Sequence, residues 1–189
     1  MLFGGILLAS ILTPALSPGS ASLLPKLLTA GVVVDGIGIV WLIVAFCTQI
    51  TLLQWLLCYL VLVAYSLALL GVTCALSRLG ATIASAITTL IALAWLTWPI
   101  WLASHLGGAA INALVKLSPL LAINGVVREF GIWTQHRIVY RYTSLGQDVA
   151  YELPGVWTCI AGHALIGAVL LLPVILRVRS LGGAGLSDR

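Results

Sequence analysis

Charged residues are rare along this chain and cut it into long apolar blocks. Residues 1–25, 36–77, 79–115 and 153–176 carry none. A membrane-crossing helix needs about 20 apolar residues. The second block therefore holds two helices and the last holds one. The pattern predicts an all-α, polytopic integral membrane bundle, a single membrane domain over 1–189 with about five to six membrane segments.

The segments follow from the punctuation. Met1–Leu16 reads either as a signal peptide, with Gly19-Ser20-Ala21 as a cleavage site, or as a short membrane-embedded helix that Pro14 and Pro18 disturb or end. Against cleavage, no Lys or Arg precedes the run. Residues 1–29 then form a short apolar segment plus a linker carrying Lys26, and 30–127 form a helical core. In that core, helices are predicted over Ala30–Phe46, Leu52–Ala75 and Ala81–Leu102, separated by Thr48, Gln49 and Thr51 and by Ser77-Arg78-Leu79-Gly80. Pro99 bends the end of the third of these, where Trp95, Trp98 and Trp101 suit the headgroup boundary.

Ser104–Val127 is long enough to cross, yet it holds Gly107-Gly108, Asn112, Lys116, Ser118-Pro119 and Asn124-Gly125. A Lys near a helix centre costs about 2.5–3.5 kcal/mol on insertion scales, and Pro119 removes a backbone donor. Non-helical backbone survives at membrane depth only inside protein or against water. A broken or re-entrant segment is expected here. Residues 128–155 carry three bases and three acids (Arg128, Glu129, Arg137, Arg141, Asp148, Glu152) and predict an interfacial amphipathic helix near 135–149. A last membrane helix, Val156–Leu176, leads into a tail with Arg177 and Arg179, the final region being 156–189.

Composition sharpens this picture. The 189 residues are 61% hydrophobic and 7% charged, whereas a soluble domain is about a quarter charged. Nine Lys and Arg against five Asp and Glu are too scattered to track phosphates, so no nucleic-acid partner is expected. They serve as topology markers instead. If Ser104–Val127 re-enters, Lys26, Arg78 and the basic tail share one side, which the positive-inside rule makes cytoplasmic. The four cysteines (Cys47, Cys58, Cys74, Cys159) form no C-x-x-C pair and read as small buried hydrophobes, so no metal framework is expected.

Few residues carry chemistry. Asp35, near the start of its predicted helix, is either interfacial or part of a pathway or pair. Lys116 snorkels, pairs with Asp35 or faces a wet cavity. His163 lies inside a predicted span among small neighbours; it is a haem-ligand candidate or, more ordinarily, a hydrogen-bonding residue between helices. Ala164 and Ala168 make a small-xxx-small pair. The chain lacks a G-x-S-x-G elbow, an H-E-x-x-H helix and a P-loop. No enzymatic activity and no resident cofactor are expected of it.

From Ile50 onward the chain resembles the later part of type-2 ABC transporter permeases, the membrane subunits of ATP-binding-cassette exporters. Three features carry the resemblance: ITLLQWLLCYLVLVAYSLALLG running into GVTCALSR, with Gly71, Ser77, Arg78 and Ala81; the Pro-containing break LSPLLAI at 117–123; and the order of broken segment, outer amphipathic region, last helix and basic end. The resemblance covers about three-quarters of the chain. It lacks a convincing coupling helix before the Leu52 helix. It implies alternating access between two permease halves, driven by a separate ATPase chain in a bacterial inner membrane, with the C-terminus cytoplasmic. It also implies a substrate path along Tyr65, Ser66 and Thr73 and along Thr82, Ser85, Thr88 and Thr89, with an outer gate near Pro119 and Asn124. The plainer reading of the Ser and Thr hydroxyls is that they bond back to their own helix carbonyls. The rival reading of the whole chain is a non-catalytic accessory subunit of a respiratory or photosynthetic membrane complex.

Overall fold

The computed structural model describes residues 2–16, 23–127 and 155–184, with side chains as far as Leu176. Helices are the only regular structure among them: α1 (Leu2–Ala15), α2 (Leu23–Phe46), α3 (Leu52–Leu76), α4 (Ala81–Trp101), α5 (Gly108–Leu117), α6 (Pro119–Val126) and α7 (Val156–Ala184). Four of these, α2, α3, α4 and α7, are long and apolar enough to cross a membrane, and α5 and α6 form a pair bent by 73°. The amphipathic helix expected near 135–149 lies outside the described residues.

Local chemistry explains the boundaries. Thr51 starts α3 with a capping box: its Oγ1 accepts from the Gln54 N–H, and the Gln54 side chain accepts from the Thr51 N–H. At the far end a short 3₁₀ turn, Ser77–Leu79, leads to Gly80 at φ +97°, a conformation glycine adopts without penalty. Pro119 opens α6, where its missing N–H would have had no intrahelical partner.

Two boundaries differ from expectation. Helix α2 starts at Leu23, not Ala30. Pro25 falls in its first turn, which needs no N–H from that residue, so Lys26 is helical rather than in a linker. Helix α7 continues past Leu176 to Ala184. Helix α1 is short, as the sequence reads: it takes Pro14 into its last turn, stops at Ala15 after 14 residues, and is shorter than a full crossing.

Most of α3 is buried, against less than a third of each of the other long helices, so α3 is the central post. Its largest neighbour is α7. Lipid gives apolar side chains no reason to leave it, so helices in a membrane pack through close backbone approach at small residues. Here a Cβ on Gly167 would lie 2.8 Å from Leu67 Cγ and 2.9 Å from the Leu67 carbonyl carbon, and a Cβ on Gly71 would lie 3.0 Å from Leu170 Cβ.

These contacts also fix direction. Tyr65 meets His163, Leu67 meets Gly167 and Gly71 meets Leu170, so α3 and α7 are parallel. Helix α4 returns antiparallel to α3 through the short turn at 77–80. It therefore ends on the side where α7 begins. Helix α6 ends on that side too, since Gln54 Nε2 in the first turn of α3 donates to Val126 O at 3.3 Å. Between them, the tip of α5 reaches inward: Cys159 Sγ lies 3.5 Å from Leu117 O, and a Cβ on Gly162 would strike Leu117 Cδ2. Cys159 and Gly162 lie about 5–9 Å along α7 from its start. Both ends of the bent α5–α6 pair therefore lie on the face where α7 begins, as in a hairpin, and Lys26, Arg78 and the end of α7 share the opposite side.

Replacing Gly167 by Val should destabilise the bundle by about 1–3 kcal/mol through overpacking against Leu67. Gly31→Ala, where a Cβ meets nothing within 4 Å, serves as the control. Unfolding of the detergent-solubilised chain in SDS checks this; equal midpoints for the two variants would contradict the close α3–α7 contact.

Candidate functional site

The expected path residues fall into three separate groups. The first crosses the core. Ser10 Oγ donates to Ile6 O at 2.8 Å, so its contact with Tyr65 Oη at 2.9 Å takes the proton from Tyr65. The Tyr65 ring meets His163 edge-on with centroids 5.5 Å apart. His163 Nδ1 lies 2.9 Å from Cys159 O; a carbonyl only accepts, so Nδ1 carries the hydrogen. Cys159 in turn reaches Leu117 O at the hairpin tip. All four of these side chains are buried. They tie α1, α3, α7 and α5 together, with His163 as an interhelical residue. Among the described residues, no group of three His, Cys, Asp or Glu comes together to hold a metal.

The second group closes the α3–α4 seam. Thr73 Oγ1 donates to Leu69 O at 2.9 Å and Thr88 Oγ1 to Ala84 O at 2.8 Å, while the two hydroxyls stand 3.3 Å apart. Two protons serve three contacts, so one contact is always without a hydrogen. The hydroxyls do turn back to their own helix carbonyls, as the plainer reading expects. Ser66 Oγ is buried with no partner among the described residues.

The third group surrounds Asp35. With α2 starting at Leu23, Asp35 lies about 18 Å along a 24-residue helix, at mid-height rather than at the boundary. This corrects the expectation that it lies close to the helix start. Asp35 is exposed on the flank of α2 and accepts a hydrogen bond from Tyr59 Oη at 2.5 Å. Gly38 makes that reach possible: a Cβ there would lie 2.5 Å from Tyr59 Cε2. Trp55 stacks on Tyr59 with centroids 5.4 Å apart and donates from Nε1 to Gly38 O at 3.0 Å. An intramembrane acid of this kind costs about 2.5–3.5 kcal/mol if left charged and alone at a helix centre.

The hairpin carries the remaining candidates. Pro119 and Asn124 are buried on α6, and Lys116 is exposed at the end of α5. Lys116 does not pair with Asp35, and among the described residues neither forms an ion pair. Ser118 Oγ, Asn112 Oδ1 and Trp98 Nε1 are buried without hydrogen-bond partners among the described residues. Trp98, 1% exposed, therefore sits under the hairpin instead of at the headgroups, while Trp101 remains exposed. Between α1 and α2 an apolar groove of about 460 Å³ opens along Gly5, Leu8, Leu12, Val32, Gly36 and Val40.

Sequence reasoning did not single out Ser10, Tyr59 and Cys159 for these roles. Their partners lie far away in the chain, and only the Gly38 gap next to Asp35 offered a local signal. Compared with known protein families, with curated proteins and with solved structures, the chain matches none.

The Ser10–Tyr65 contact should show a coupling of about 0.5–1.5 kcal/mol in a Ser10→Ala, Tyr65→Phe double-mutant cycle followed by SDS unfolding. Strictly additive losses would show that α1 is held by packing alone.

Proposed function

We propose that the chain is the membrane-spanning permease subunit of an ATP-binding-cassette export system, working by alternating access with ATP hydrolysed on a separate chain. The observation that carries this reading is the re-entrant α5–α6 hairpin. It stands between the penultimate and last long helices, where the resemblance puts its Pro-containing break. Lys26 and Arg78 lie on the face opposite the hairpin, with the end of α7. The positive-inside rule makes that face cytoplasmic, with the hairpin outside, and the resemblance implies the inner membrane of a bacterium.

On this reading the structure is a closed state. The Ser10–Tyr65 and Thr73–Thr88 contacts seal the α1–α3 and α3–α4 seams, and access would require parting one of them. The chain supplies the path and no catalysis. Asp35 supports the need for further chains, because an intramembrane carboxylate with one phenolic partner invites a second partner from outside. That same observation favours the rival reading, an accessory subunit of a redox or pigment complex.

Purification of the tagged chain from its native host in mild detergent separates the two. The permease reading expects a co-purifying ATP-binding-cassette ATPase and a colourless sample. A coloured sample with redox or pigment-binding partners, no ATPase, and colour lost on His163→Ala would replace it by the accessory-subunit reading.

A further inference from the structure

Two opposite charges lie at membrane depth on the outside of this bundle, and the chain does not join them. Asp35 is exposed on α2 and Lys116 is exposed on α5 at the hairpin tip. Both are reached from one broad face, with α7 between them. One flank of α7 lies toward α2, where Leu171 and Ala30 share a buried cluster with Leu70 and Cys74 of α3. Another flank meets α5, where Gly162 and Cys159 touch Leu117. A third, with His163 and Gly167, faces α3. What remains is an exposed stripe, Ala161, Leu165, Ala168 and Leu172, with Leu165 and Leu172 more than half exposed. Its four–three–four spacing keeps one line along a helix and alternates small with large side chains, the pattern by which membrane helices interlock.

We propose that a second copy of this chain packs on this face about a two-fold axis along the membrane normal, placing Asp35 beside the partner's Lys116. A two-fold interface uses the same patch on both copies. Rotation about the membrane normal keeps depth and reverses the order α2, α7, α5 across the interface, so α7 faces the partner's α7 and each acid faces a base. Asp35 is at mid-height of α2, and Lys116 starts from the tip of the hairpin, inward of the face where α7 begins, with a side chain long enough to reach further in. Tyr59, held by Trp55 and the Gly38 gap, fixes one carboxylate oxygen and leaves the other for the incoming ammonium. The inference stands on this placement of charges and does not rest on the transport reading.

The test uses full-length chains carrying two different tags, both with Cys47→Ser, co-expressed and oxidised in native membranes. One carries Asp35→Cys and the other Lys116→Cys. The expected result is a disulfide between the two tags, absent when Asp35→Cys is paired with Ile91→Cys on the exposed side of α4. In parallel, Asp35→Lys or Lys116→Glu alone should weaken dimer formation at least tenfold, and the two together should restore it. No cross-link between the tags, an equal cross-link to Ile91→Cys, a failure of the double charge reversal to restore the dimer, or a cross-link of Asp35→Cys only to a different polypeptide would each overturn the proposal. None of these outcomes bears on whether an ATPase co-purifies.

Discussion

The parallel contact between α3 and α7 is the constraint on which the rest of this bundle depends. Gly71 and Gly167 let the two backbones come close enough that neither position has room for a methyl group without displacement of its neighbours. In lipid such proximity replaces the hydrophobic drive that would hold a soluble core. Because the contact is parallel, the chain must return to its starting face between α4 and α7. The hairpin is the consequence: it goes in, turns at Ser118-Pro119 and comes back.

The hairpin then sets the chemistry of that half of the bundle. Its tip leans on Gly162 and takes the Cys159 thiol at Leu117 O. Through His163 and Tyr65 the same contact continues to Ser10 on α1. Polar groups that would be costly when isolated in lipid are thus joined across helices. Among the described residues Ser66 Oγ on α3 is one exception, and three more, Ser118 Oγ, Asn112 Oδ1 and Trp98 Nε1, cluster at the hairpin and the end of α4. Each such atom costs about 1–3 kcal/mol, which makes this the least settled part of the interior.

Helix positions were legible in the sequence because charge-free blocks and turn residues mark them directly. Leu52 and Ala81 start their helices where Thr51 and Gly80 said they would. The break at Ser118-Pro119 was legible for the same reason. The start of α2 was not. Pro25 and Lys26 look like linker residues, yet a proline costs little in a first turn, and that shift of seven residues moves Asp35 from the edge to the middle of its helix. Side-chain partners were the least legible. Nothing local ties Tyr59 to Asp35 across 24 residues or Ser10 to Tyr65 across 55, and the Trp98 indole was misplaced because an end-of-helix tryptophan ordinarily marks the headgroups.

The central claim is that α5 and α6 enter and leave on one face. Cysteine placed at Ser104, before the hairpin, and at Gly155, ahead of α7, tests it in a Cys47→Ser background with a membrane-impermeant maleimide on sealed cells. Both positions are exposed, and the three remaining native cysteines are buried. The account predicts that Ser104→Cys and Gly155→Cys label from the same side, and Arg78→Cys only after the membrane is opened. Labelling of Ser104→Cys and Gly155→Cys from opposite sides would show that the segment crosses, and would contradict the parallel α3–α7 pair on which the fold is built.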